Sequence, residues 1–167
     1  MIHIRKAKIS DAKNITCVNV TTWKDAYKSL LPDEFLNNRN LSDRRIEYTK
    51  NQIEDQNDIC LVAEFDNQIV GFCIGGLPRQ YNDIFEFELC AFYVLPNYQR
   101  KGIGKALFNK FKEIVGSKPF YLYALSANKK AIDFYEKNGG IIMPEYTQKL
   151  PHPELDADET LLAYNLE

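Results

Sequence analysis

Leu89-Cys90-Ala91-Phe92-Tyr93-Val94-Leu95-Pro96-Asn97-Tyr98-Gln99-Arg100-Lys101-Gly102-Ile103-Gly104-Lys105-Ala106-Leu107 is the stretch on which the reading of this chain turns. It is apolar and β-prone up to Val94, and Pro96-Asn97 closes that strand. From Ile103 the pattern changes to helical spacing. Ile103, Leu107, Phe111, Ile114 and Val115 form one face, Lys105, Asn109, Lys112 and Glu113 the other, and Gly116 suits the C-terminal stop. Between the two elements stands Gln99-Arg100-Lys101-Gly102-Ile103-Gly104, where backbone N–H groups at a helix N-terminus can hold phosphate. A tight strand-to-helix turn would use the same glycines. Two familiar phosphate loops are excluded. A Walker A motif ending in Gly104-Lys105 needs Gly where Gln99 stands and Ser or Thr where Ala106 stands, and a dinucleotide fingerprint needs a third glycine at Leu107.

Working outward, Ile4 lies in a short strand, Ile2 to Ala7. Ser10-Asp11 caps a helix in which Ile15, Val18, Thr22, Trp23, Ala26 and Tyr27 recur at helical spacing, broken at Leu31-Pro32-Asp33. A short helix from Asp33 and a third, polar one capped by Ser42 follow. Cys60 to Phe65 and Ile69 to Ile74 form a hairpin around Asp66-Asn67-Gln68, and Ile84 to Val94 is a long strand. Downstream of the central helix come a strand from Pro119 to Leu125 and a helix capped by Ser126 or Asn128 and stopped at Gly139-Gly140. Two closing strands, Ile141 to Glu145 and Thr160 to Asn165, are joined by a Pro-rich acidic loop. The order βαααβββαβαββ predicts an α/β fold with helices on both faces of a mixed, mostly antiparallel sheet of about seven strands. No repeat or linker interrupts residues 1–167, which read as one domain.

Composition narrows the function. The 167 residues are 45% hydrophobic and 13% aromatic, ample for one core, so disorder is excluded as the main state. A net charge of -2 speaks against a nucleic-acid partner. The apolar runs are too short for a membrane span, and Met1-Ile2-His3-Ile4-Arg5-Lys6 does not read as a leader. Cys17, Cys60, Cys73 and Cys90 have no C-x-x-C spacing and read as reduced, buried thiols of a cytoplasmic protein. His3 and His152 are the only histidines, which argues against a metal site or a histidine-based hydrolase. Between Arg100 and Lys118 six basic residues face the single acid Glu113, a block that is either a solvated helix face or the counterpart of an anion.

The same motifs resemble the acyl-CoA-binding motif of the GNAT-type N-acetyltransferase superfamily, whose core pattern, Gln/Arg-x-x-Gly-x-Gly/Ala after Val-x-Pro, is met from Val94 to Gly104. A second segment, Asn128-x-x-Ala131-x-x-Phe134-Tyr135-Glu136-Lys137-x-Gly139, is similar to that family as well, as are Ile4-Arg5-x-Ala7, Asp11 and Trp23-x-x-Ala26-Tyr27. Gly140 departs from it, standing where an aromatic or apolar residue is usual. The resemblance implies the GNAT fold and coenzyme A, as acetyl-CoA, for the anion. Amides of the loop from Gln99 through Arg100, Lys101, Gly102, Ile103 and Gly104 to Lys105 would hold its pyrophosphate. Main chain near Phe92 and Val94 would face the pantetheine and thioester, and Asn128 would be either a cofactor contact or a helix cap.

Acylation of an amine by a thioester needs a proton acceptor for the amine, stabilisation of the oxyanion, and a proton for the thiolate. Glu86 and Glu88 share strand parity with Cys90, Phe92 and Val94 and are expected on one sheet face. By resemblance Glu88 coincides with a general-base glutamate, with Glu86 or water as the alternative base, and Tyr135 with the tyrosine that protonates the thiolate. Cys90 lacks an activating neighbour and reads as packing. The expectation is an acetyl-CoA-dependent N-acetyltransferase acting by direct transfer to a primary amine on a small-molecule acceptor, with a homodimer as one assembly. The alternative is a silent coenzyme A-binding regulatory or interaction domain. Aminoglycosides, polyamines, amino-acid derivatives and protein N-termini are all open as acceptors.

Overall fold

The computed structural model describes residues 1–152 and 154–166; Pro153 in the Pro-rich loop and Glu167 lie outside the described residues. Five helices, α1 (Ala12–Tyr27), α2 (Asp33–Asn37), α3 (Asp43–Glu54), α4 (Ile103–Val115) and α5 (Lys129–Lys137), flank one sheet. Its strands are β1 (Ile2–Lys6), β2 (Ile59–Phe65), β3 (Gln68–Gly76), β4 (Phe87–Val94), β5 (Phe120–Leu125), β6 (Ile141–Ile142), β7 (Gln148–Lys149) and β8 (Asp158–Tyr164). They run in the order β1-β2-β3-β4-β5-β8-β6, with β7 also on β8. Among the described residues only β4 and β5 pair in parallel. The expected α/β architecture stands, with eight strands among the described residues where about seven were expected. The additional one is two residues long, below what a hydrophobic pattern can signal.

Asp66 and Asn67, both at positive φ, make a two-residue turn between β2 and β3, the chemistry such hairpins require. Leu61, Ala63, Leu107, Phe108, Phe111, Phe120 and Leu122 pack under α4 and α5, while Ile15, Val18, Cys60, Val62, Phe72 and Ile74 pack under α1. Thr16 and Thr49 hydroxyls lie 3.0 Å apart and tie α1 to α3. No described helix is long and apolar enough to cross a membrane.

Three sequence expectations are corrected. The long strand begins at Phe87 rather than Ile84, because the Ile84 and Phe85 amides donate back to the Tyr81 carbonyl in a turn. Cys17 and Cys90 are exposed; only Cys60 and Cys73 are buried. Third, the shared face of Glu88, Phe92 and Val94 does not exist. Ile74 pairs with Ala91 but Gly75 pairs with Leu89, so β4 spends one extra residue, Cys90, in a β-bulge. Parity reverses there. Leu89 before the bulge and Phe92 and Val94 after it face α4, which leaves Glu88 on the opposite face with Tyr121. Gly75 makes the bulge possible: a Cβ there would sit 2.6 Å from Phe111 Cε2 and 2.8 Å from the Glu88 carbonyl oxygen. Gly140, the departure noted above, has a similar cause, since a Cβ would meet the Tyr164 hydroxyl at 2.7 Å where that group donates to the Tyr135 carbonyl.

Candidate active site

Beyond the bulge, β4 and β5 part. Their register holds only at Phe87 with Phe120 and Glu88 with Tyr121, after which β4 remains paired with β3 alone. The gap opens into a cavity of about 870 Å³, walled by both strands, the start of α4, α5 and the C-terminal end of α1. One edge of β4 from Leu89 to Val94 therefore offers backbone donors and acceptors to whatever enters, as an absent strand would use them. The size is in the range of a cofactor or drug-sized ligand.

At one end stands the loop of the central motif. Gly102, at φ 82°, is the residue from which α4 starts, and nothing lies within 4 Å of where its Cβ would be. The first amides of α4 have no intrahelical partner, so they and the helix dipole favour an anion at this end. Arg100 and Lys105 line the cavity here, and Lys130 and Lys137 of α5, outside the basic block of the sequence, line it as well. Their seven-residue spacing on one helix could have shown that they share a face. The basic block itself divides: Lys110 pairs with Glu113 and Lys118 with Glu86, both on the solvent side.

Of the sequence-derived candidates, Phe92, Val94, Gln99, Arg100, Gly102, Gly104, Lys105, Asn128 and Tyr135 line the cavity. Phe92 stacks on Phe134 with ring centroids 5.6 Å apart. Gln99 spends its side-chain amide on the Val94 carbonyl at 2.9 Å, pinning the end of β4. Asn128 caps α5 by accepting from the Ala131 amide at 3.3 Å while bordering the cavity. Ile103 is buried in the core, and Lys101 lies over the Tyr98 ring at 5.2 Å. Neither belongs to the cavity wall.

Tyr135 is buried among Phe92, Phe108 and Phe134, and burial drives its pKa well above the ordinary tyrosine value, with the neighbouring Tyr93 and Tyr27 adding to the effect. It is a proton carrier at any physiological pH. Tyr27, Tyr93 and Tyr123 also line the cavity, and burial raises each of them as well. Trp23 Nε1 donates to the Tyr93 hydroxyl at 2.9 Å.

Glu88 is placed differently from its expected role. Only 2% of its side chain is exposed, and it is absent from the cavity wall. Its Oε2 accepts from the Tyr121 hydroxyl at 2.9 Å and the Arg79 amide at 3.0 Å, and the Arg79 guanidinium covers both oxygens. Burial alone would raise this carboxyl, but the hydrogen bonds and charge of Arg79, with Tyr121, outweigh it and hold the pKa below the ordinary value. The group is ionised yet fully engaged. Cys90 at the bulge opens onto the cavity rather than onto bulk water, so an exposed thiol still has its pKa pushed up to about 12 by desolvation and by the Glu88 charge. Among the described residues no cluster of three His, Cys, Asp or Glu side chains is placed to hold a metal ion.

The chain is 27% identical over 139 residues to an uncharacterised N-acetyltransferase of Bacillus subtilis, YuaI, covering 81% of this chain and 78% of that protein. It is 28% identical over 149 residues to a spermidine N(1)-acetyltransferase of Thermoplasma acidophilum, covering 83% of this chain and 87% of the relative. Among solved structures, the PaiA N-acetyltransferase from Thermoplasma acidophilum in complex with coenzyme A superposes with a TM-score of 0.77. At 23% identity it spans 98% of this chain and 99% of its own. Residues 23–140, which hold the split strands, the glycine loop and Tyr135, match the model of one family, and the chain belongs to it: the acetyltransferase (GNAT) family.

Proposed function

We propose that this chain is an acetyl-CoA-dependent N-acetyltransferase that passes the acetyl group directly to a primary amine in a ternary complex. The observation that carries the reading is the parting of β4 from β5 over a cavity with a basic helix N-terminus at one end and Tyr135 in its wall. The loop amides with Arg100, Lys105, Lys130 and Lys137 would hold the phosphates, and the free edge of β4 the pantetheine arm. Main-chain N–H groups beside the bulge would donate to the thioester oxygen as negative charge grows on it.

The transfer forms one N–C bond and breaks one C–S bond. The attacking nitrogen starts as a neutral amine, its ammonium proton having gone to water, and loses a second proton as the bond forms. Tyr135 supplies a proton to the departing sulfur, and solvent restores the tyrosine, so the products are the N-acetylated amine and the free thiol. The base role expected for Glu88 passes to water in this scheme. Its oxygens are occupied and its lowered pKa makes it a weak acceptor. Glu88 is instead a positioning residue that holds the start of the bulge through Arg79 and Tyr121.

The test is thiol release from acetyl-CoA across a panel of amines, with two variants. Tyr135→Phe is expected to lower kcat by about 10² to 10⁴. Activity should return with an activated aryl thioester, whose leaving group needs no proton. Glu88→Gln is expected to keep the wild-type pH profile of kcat/KM; a profile displaced to higher pH would restore Glu88 as the base. Binding of acetyl-CoA without thiol release for any amine would favour the silent-domain reading.

A further inference from the structure

Beside the wall that Tyr27 and Tyr93 give the cavity there is a cation with no carboxylate paired to it among the described residues. Arg39, two residues past the end of α2, is half-buried, and its Cζ lies 4.0 Å from the centroid of the Trp23 ring. Its Nη2 donates to Asn19 Oδ1 at 2.8 Å, and its Nε is buried without a hydrogen-bond partner. Among the described residues no carboxylate forms an ion pair with it; the charges that act on it are Arg45, which repels, and the Tyr93 and Tyr27 hydroxyls. Trp23 links it to the site, donating to Tyr93 and packing edge-on against Tyr27 at 4.6 Å.

A guanidinium lying on an indole spends its face on the ring and leaves its in-plane N–H groups for an acceptor. Burying a cation beside a second cation is costly unless an anion completes it. The residues around it, Trp23, Tyr27 and Phe35, are themselves only partly buried, so the anion can arrive from outside. The same two hydroxyls also feel the negative charge of Glu159 on β8, a half-buried carboxylate held by Gln148. The Tyr27 and Tyr93 hydroxyls in the cavity wall thus feel one positive charge, Arg39, and one negative charge, Glu159.

From the unpaired Arg39 stacked on Trp23 beside the cavity wall, we infer that the acceptor is a zwitterion of amino-acid type, its carboxylate on Arg39 and its amine directed to the Tyr27 and Tyr93 hydroxyls. The inference rests on the acetyltransferase reading and narrows its acceptor. A polyamine, the substrate named for the Thermoplasma relative, would bring further positive charge to Arg39 and Arg45.

Trp23 is the single tryptophan, so its emission reports on this spot. Coenzyme A-saturated protein is titrated with the twenty L-amino acids, with their carboxamides and with spermidine, following fluorescence, and thiol release is measured in parallel. At least one amino acid should bind and turn over with a dissociation constant and KM at least tenfold below its carboxamide. Arg39→Gln should abolish that ratio by raising the KM and dissociation constant of the amino acid at least tenfold, and Arg39→Lys should restore part of it. Carboxamides or spermidine matching or exceeding every amino acid on the wild-type protein overturns the inference without any variant. Thiol release with spermidine, unaltered in Arg39→Gln, would sink the zwitterion and leave the acetyltransferase standing. No thiol release with any amine, together with no thermal shift on adding acetyl-CoA, would overturn both.

Discussion

Replacing Glu88 by Gln keeps shape and volume and removes only the charge and one acceptor. Four donors converge on the carboxylate: the Arg79 amide and the Tyr121 hydroxyl on Oε2, and the Arg79 guanidinium on both oxygens. An amide has one acceptor oxygen. It would stay with the Tyr121 hydroxyl and the Arg79 amide, since Tyr121 is buried, and the new NH₂ would face the guanidinium donor to donor. The Arg79 side chain is 70% exposed and can turn to water, so the loss lies at the lower end of a hydrogen bond to a charged group, about 1.5 to 2 kcal/mol. For a chain of this length that lowers the melting temperature by roughly 3 to 8 °C at neutral pH. The pH dependence has a definite sign. The folded-state pKa of Glu88 lies below its unfolded value, so its stabilisation is complete above the ordinary glutamate pKa and fades as pH falls through the folded one. The gap between wild type and variant should therefore narrow on acidification below about pH 4. Calorimetric melts at pH 7.5 and at steps down to pH 3.5 measure both quantities. Curves that coincide within 1 °C at pH 7.5, or a gap that widens as pH falls, would refute the assignment of this carboxylate as a buried ion-pair partner.

Three further outcomes follow from the cavity. Gly102→Glu places a carboxylate at the helix N-terminus and a Cβ on backbone at φ 82°, so it should cost about 1 to 2 kcal/mol of stability and abolish the thermal shift with acetyl-CoA. A normal shift in the folded variant would reduce the loop to a turn. Cys90, although exposed, should alkylate with iodoacetamide at pH 8 on the order of 10³-fold more slowly than an ordinary thiol, because so little of it is thiolate. Cys90→Ala should keep at least a tenth of the activity; trapping of an acetylated Cys90 by mass spectrometry at a competent rate would contradict direct transfer.

Local signals were enough for much of this protein. The amphipathic pattern from Ile103 to Val115, the glycines of the loop and the cap at Asn128 each follow from a few neighbouring residues, and the α/β layering follows from the order of such segments. Alternation along β4 was also legible, but alternation assumes that every residue is paired. The bulge at Cys90 breaks that assumption because Gly75, fifteen residues earlier, lets the Glu88 carbonyl and Phe111 approach the neighbouring strand. A single inserted residue then moves Glu88 to the other face and into the grasp of Arg79 and Tyr121, partners 9 and 33 positions away. The same distance effect hid Tyr27, Tyr93, Lys130 and Lys137 as cavity residues and left Arg39 indistinguishable from any surface arginine. Residue type and spacing specify which elements form, because those interactions are local. Which side chains meet across the parted strands depends on register and on packing between distant segments, and only the tertiary structure holds that information.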